Sequence, residues 1–274
     1  MVCVDLGGGG AGGAAGSSGG TAGAAGATGS AGRGAGGVGG EGGGTAFSPS
    51  SLSTLVMWLE GDQVVLSGGN VATWTNQASN GVSPTACPGA VLSAVSNAAN
   101  GHAAVHFSLA CLTASDDTSF HWGTDDFLVE AVVRVQTNSA AIGTLWNKGA
   151  GFYLGAEPGA QIAGYNATGA TSDTVTASSA FGADGAFHMV GMRRVGSSFQ
   201  LRVNGQVMGT TTLGGSEDGN QSGQPLYLGA AAPQYESLTG FVGDVAELVA
   251  VHGTTSDTAV ANLESYFVGK FALP

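Results

Sequence analysis

Two carboxylates about 5 Å apart are the working pair of a retaining glycosidase, one as nucleophile and one as acid/base. A strand presents such a pair through a Glu-x-Asp-x-x-Glu run, because alternating residues project from one face. Glu60-Gly-Asp62 begins that pattern, but Val65 stands where the second Glu belongs. Asp244 and Glu247 lie three residues apart, a spacing that sends strand side chains to opposite faces. Glu130 is alone on its segment. These positions speak against a glycoside hydrolase or lyase. His102, His106, His121, His188 and His252 fall into no Ser/His/Asp pattern. His102 and His106 share a strand face but have no third metal ligand nearby, and His188 suits local packing or hydrogen bonding.

Other residues suit binding. Trp146, Tyr153 and Tyr165 lie in three consecutive strand-like runs, and their parity sets them opposite Leu145, Leu154 and Ile162. If those strands are neighbours, the three rings line the outer face of one sheet. Flat aromatics there would stack on the apolar faces of sugar rings, with Lys148 and Asn166 supplying hydrogen bonds. A register slip of one residue would invert every facing. Calcium is the one ion kept open, at Asp116-Asp117, Asp125-Asp126 and Glu217-Asp218-x-Asn220, with Asp218, Asn220 and Asp125 the first ligands to consider. Solvated turns favour the same residues for backbone reasons. No cofactor is otherwise expected.

Charge narrows the partners. The net charge is −12, and the stretch before Phe47 contributes one negative charge of it (Asp5 and Glu41 against Arg33). Such a surface repels nucleic acid and acidic lipid headgroups. Glycans, cell-envelope polysaccharides and protein partners remain. No run of 18 apolar residues exists to span a membrane. Cys87 and Cys111 flank strand-like runs and suit a disulfide in an exported protein, or two small buried hydrophobes in a reducing compartment. Met1 to Leu6 lacks the charged start and apolar run of a signal peptide, so export would need an upstream start or processing. Cys3, directly before a Gly-rich stretch, matches a lipid-modified N-terminus left by such processing, the only membrane contact expected; the alternative is a stray cysteine.

The elements that must position these residues begin near Phe47. From Gly7 to Gly44, 30 of 38 residues are Gly or Ala, too little side chain to offset the entropy of folding. Glycine recurs in threes from Gly20 to Gly32, but the phase fails at Ala35 and the first proline is Pro49, which excludes a stable collagen helix. Residues 1–46 therefore read as a disordered linker and 47–274 as one domain. Short apolar runs separated by Gly, Asn, Asp and Ser follow. Phe127, Val129, Ala131, Val133 and Val135 alternate with Glu130 and Arg134, and Asn204-Gly205 supplies a type I′ hairpin turn. About a dozen such strands imply an all-β, two-sheet antiparallel sandwich. One helix closes the chain, capped by Thr255 or Ser256, with Val260, Leu263, Phe267 and Phe271 as its apolar stripe.

Several segments resemble the concanavalin A-like, laminin G-like modules of bacterial surface or secreted proteins. Met57-Trp-Leu-Glu60 resembles their opening strand. Trp74-Thr-Asn-Gln-Ala-Ser-Asn-Gly81 resembles their Trp-x-Asp-x-Ser-Gly-x-Gly segment, with Asn76 where Asp is usual. Asn100-Gly-His-Ala-Ala-Val-His-Phe107 resembles Asn-Gly-x-Pro-Ala-Val-x-Phe without its Pro. Asp184 to Val190, then Arg193 and Leu201-Arg-Val-Asn-Gly205, are similar to their central hairpin, and Phe241 to Glu247, followed by Ser256-Asp257, Glu264 to Phe267 and Lys270, to their closing strand and helix. The resemblance spans residues 55 to 271. It implies a jelly-roll sandwich and an extracellular or cell-surface setting. It leaves two roles open, a tethered carbohydrate-binding or adhesion module and a structural or protein-binding spacer.

Overall fold

The computed structural model describes residues 46–136, 143–149, 152–157, 161–168, 171–176, 184–213, 222–235 and 239–274; between 152 and 176 only Leu154 and Gly155 are described beyond the backbone. These residues belong to the unit Thr45–Pro274. The Gly/Ala-rich stretch with Cys3, and the calcium candidates Asp218 and Asn220, lie outside the described residues.

β7 (Phe127–Val135) shows how the sequence builds two faces. Phe127, Val129, Ala131, Val133 and Val135 enter one core, while Leu128 and Val132 enter a second on the opposite face, as a side-chain period of two requires. β7 lies between β16 (Val242–His252) and β12 (His188–Val195), antiparallel to both. β12 continues into β13 (Ser198–Val203) and β14 (Gln206–Thr212). β16 also pairs with β1 (Leu55–Ser67) and with β5 (His102–Ser108), which carries β4 (Ser93–Ala99) on its other edge. From β1 the ladder runs through β2 (Asn70–Asn76), β3 (Thr85–Ala86), β6 (Leu112–Ala114), β15 (Leu226–Leu228), β8 (Gly143–Lys148), β9 (Phe152–Glu157), β10 (Gln161–Thr168) and β11 (Thr171–Thr176). The path folds back on itself, so that β10 and β11 lie across from β12, β13 and β14. The result is a two-layer antiparallel sandwich.

Trp74, Phe107, Trp122, Trp146, Met192 and Leu201 fill the space between the layers. Each such side chain contributes about 1.5–3 kcal/mol on leaving water. Outside the layer containing β7 and β16 lies helix α1 (Asp257–Phe271). Its Val260, Leu263 and Phe267 pack on Leu128, Val132, Val249 and Val251. Ser256 caps the helix, its side chain accepting from Ala259 N at 3.1 Å, and Ala272 ends it in the left-handed region at φ 50°. The β13–β14 turn has Asn204 and Gly205 at φ 46° and 76°, a type I′ geometry. Asn204 Oδ1 also accepts from Met189 N at 3.0 Å, which ties the turn to β12. Cys87 and Cys111 are joined in a disulfide, buried beside Ala230.

Runs of large apolar residues do not reveal every strand. β4 and β14 carry mainly small or polar side chains, many of them exposed at the margins of the sandwich. Such strands are held by backbone pairing and leave little trace in hydropathy.

Candidate functional site

Trp146 does not join the expected aromatic face. Trp146 is fully buried, stacked on Trp122 with ring centroids 5.4 Å apart and edge-on to Phe120 at 6.1 Å. Parity misleads here because every residue of β8 is buried, so it carries no polar alternation to read. A register irregularity between Thr144 and Trp146 also resets the facing. Trp146 lies opposite Leu154 and Leu228, both core residues. The Tyr153 and Tyr165 side chains, like that of Asn166, lie outside the described residues. Their backbone register pairs them with each other and with Asn147, not with Trp146.

Lys148 is likewise buried at 2% exposure and committed within the protein rather than open to a ligand. Its ammonium bonds Asp116 Oδ1 and the Gln224 carbonyl, as a desolvated charge must. Asp116 is also hydrogen-bonded to His121 Nε2 and to Gly223 N, both at 2.7 Å. The Lys148 and His121 bonds hold its carboxyl well below the usual carboxylate range. Asp125 is hydrogen-bonded to His252 Nε2 at 3.1 Å. Among the described residues, no three His, Cys, Asp or Glu side chains converge to hold a metal ion.

The carboxylates are arranged differently from the parity expectation. β16 carries a bulge between Val245 and Glu247. Val245 and Leu248 face the inter-sheet core, while Ala246 and Val249 face α1. Asp244 and Glu247 therefore share the helix-side face rather than opposing faces. Asp244 is hydrogen-bonded to His106 Nδ1 at 2.8 Å and ion-paired with Arg134 at 2.7 Å. Glu247, wholly buried, accepts from Trp58 Nε1 at 2.7 Å, Lys270 Nζ at 2.6 Å and Tyr266 OH at 3.1 Å. Its partner across the ladder is Glu60, which accepts from the same Lys270 and from Gln77. Burial pushes the Glu247 carboxyl up in spite of Lys270. Burial alone would lower Lys270, but its bonds to the two carboxylates raise it. Asp62 is tied to Ala103 N at 2.9 Å and His102 Nδ1 at 2.8 Å. Only glycine fits between Glu60 and Asp62, because a Cβ at Gly61 would lie 2.1 Å from the Ala103 carbonyl oxygen. These groups are neutralised, and α1 covers Glu247. Chemically the cluster is a clamp between helix and sheet.

A second polar group lies where the flank of α1 meets the outer face of β12, β13 and β14. A groove of about 270 Å³ opens there, floored by Arg193, Gln200, Arg202 and Val207 and walled by Asp257 and Glu264 of α1. Arg193 Nη1 donates to Asp257 Oδ1 at 2.7 Å, and Arg202 Nε donates to Glu264 Oε1 at 2.9 Å. Beneath them Glu130 is buried, and burial followed by the Glu264 charge pushes its carboxyl well up. Arg193 Nε, Gln200 Oε1 and Glu130 Oε2 are buried without a hydrogen-bond partner. Arg193 and Gln200 are direct cross-strand partners. Sequence reading names Arg193, Arg202, Asp257 and Glu264 only as carriers of the family resemblance and does not group them, although alternation with core-facing Phe199 and Leu201 places Gln200 and Arg202 on one face.

A two-layer antiparallel sandwich with one helix on an outer face, its buried charges in ion pairs and an open polar groove beside the helix, defines the class. The chain belongs to the concanavalin A-like lectin/glucanases superfamily, whose model matches residues 110–261, more than half of its length. Among solved structures, the binding domain of Paraclostridial mosquitocidal protein 1 is similar with a TM-score of 0.60 at 11% identity, over 78% of this chain and 52% of that one. The botulinum neurotoxin serotype D binding domain gives 0.58 at 8% identity, over 81% and 53%. The serotype D ligand binding domain in complex with N-acetylneuraminic acid gives 0.57 at 9%, over 80% and 53%. The chain spans about half the length of these structures. At such identities the likeness is one of fold. No curated protein matches the sequence.

Proposed function

We propose that residues 47–274 form a non-catalytic carbohydrate-binding or adhesion module, carried on the Gly/Ala-rich stretch as a flexible tether and displayed outside the cell. The observation that carries this reading is the state of the facing carboxylates in a member of the lectin/glucanase superfamily. Glu60 and Glu247 share one ammonium, and Glu247 is fully buried, so neither is a free nucleophile or acid. The serotype D relative with bound N-acetylneuraminic acid supports glycan as the ligand class. A tether of roughly 40 Gly-rich residues would give a reach of about 35 Å, and a lipid on Cys3 would fix its far end to a membrane.

A screen of the whole chain against polysaccharides and glycans, with and without calcium, tests the reading. Retention on a defined glycan class, without turnover, is the expected result. No binding across a broad panel removes it. In that event the spacer reading takes over, favoured by the exposed apolar side chains Val65, Leu66 and Val91 at 53%, 52% and 64%. Leu66 lies opposite Val71, whose N–H donates to Leu92 O beside Val91, so the backbone segments that carry these residues are neighbours.

A further inference from the structure

We infer that the groove between α1 and the β12–β14 face is the sugar subsite, and that it takes a single neutral, hydroxyl-rich ring such as a hexopyranose. This rests on the carbohydrate-binding reading and adds the place and the chemistry.

Three observations converge. First, an unmatched donor and an unmatched acceptor lie on two directly opposed residues that line the groove floor. Arg193 Nε–H and Gln200 Oε1 have no partner, and they come from directly opposed positions of β12 and β13. A hydroxyl both accepts and donates, so adjacent ring hydroxyls satisfy both atoms, whereas a carboxylate only accepts. Second, the groove charges cancel in pairs, Arg193 with Asp257 and Arg202 with Glu264. Among the described residues that line the groove, no uncommitted cation remains to balance an acidic sugar, and the chain carries −12 overall. Third, Val207, Val260 and Ala261 add apolar surface, which suits the C–H face of a ring. The volume of about 270 Å³ equals roughly nine waters at ~30 Å³ each, enough for one ring. Further residues of a polysaccharide would extend into solvent. The two unmatched atoms lie just beneath the groove surface. The Asp257 carboxylate, 93% exposed, forms the rim and stays paired with Arg193.

The test is NMR on the whole chain, following the Arg193 Nε–H resonance during titration with glucose, galactose and mannose, and separately with N-acetylneuraminic acid. Millimolar neutral hexose is expected to shift it, and the acidic sugar to act at least about tenfold more weakly, because it sets a like charge beside Asp257 and Glu264. Ala261→Phe fills the groove from an exposed helix position and removes no side-chain hydrogen bond; Gln200→Leu removes the acceptor. Both are expected to abolish the shift and leave the melting temperature unchanged. Glycan retention in the screen with a silent Arg193 resonance, or an undiminished response in Ala261→Phe, overturns the groove and leaves the carbohydrate-binding reading standing. Tighter binding of N-acetylneuraminic acid than of every hexose overturns the neutral-ring chemistry. A hexose-induced shift with an empty screen keeps the groove and removes the module's proposed role.

Discussion

Glu60 and Glu247 stand directly opposite each other across the β1–β16 ladder. Two carboxylates so placed would repel, and like charges directly across a ladder destabilise it. Lys270 of α1 lies against both and converts the repulsion into an attachment of helix to sheet. The last turn of α1 thereby ties this carboxylate pair into the structure.

Removing that lysine leaves a buried charge without its counterion. Lys270→Met is expected to cost about 3–5 kcal/mol in denaturant unfolding. Adding Glu247→Gln to it should recover at least about half, because the two residues share one network. A cost under about 1 kcal/mol would show that Tyr266 and Trp58 suffice for Glu247.

The pH dependence has two arms. Burial raises Glu130 and Glu247 in the fold. Their contribution is complete below the unfolded carboxyl value of about 4.3 and is lost as pH rises through their folded values. Glu130→Gln should therefore raise stability at pH 8 by on the order of 1–2 kcal/mol and leave it unchanged near pH 4. Asp116 and Asp184 are depressed, Asp116 chiefly by Lys148 and Asp184 chiefly by the Ala186 N–H. Their contribution is present above about pH 4 and disappears as pH falls further. Thermal melts from pH 2 to 9 test both arms; an alkaline effect of the wrong sign would contradict the burial of a neutral Glu130.

Trp146→Ala separates a core residue from a ligand platform. A loss of about 3–5 kcal/mol in stability is expected. A platform role would instead lower glycan affinity at an unchanged melting temperature.

Reduction of the Cys87–Cys111 bond opens a loop of sequence separation 24. Loops of this size contribute about 3–4 kcal/mol. Melts with and without reductant, alongside Cys87→Ala/Cys111→Ala, should agree on that loss; no difference would place the two thiols as passive core residues.

Much of the scaffold is readable in the residues themselves. The alternation of β7, the Asn204-Gly205 turn and the stripe of α1 each follow from local rules, because one face meets a core and the other does not. The site is harder to read for three physical reasons. β8 is buried throughout, so Trp146 and Lys148 give no sign of their facing. No residue type announces the β16 bulge between Val245 and Glu247, so Asp244 and Glu247 change relation unseen. The groove joins a helix flank to a hairpin some 60 residues earlier, a proximity that periodicity cannot express. Arg193 and Gln200 are legible one at a time; their opposition across β12 and β13 is not.

β16 is the strand around which the sheet assembles, since β1, β5 and β7 all pair with it, yet it follows all three of them in the sequence. Translation at about 5–20 residues per second leaves β1 waiting on the order of ten to forty seconds for its partner. During that interval the edges of β1 and β5 that meet β16 face water or any neighbouring strand, an invitation to mispairing. The β1–β2 and β4–β5 pairs can form before β16 is made, but the two halves of this layer can join only through β16.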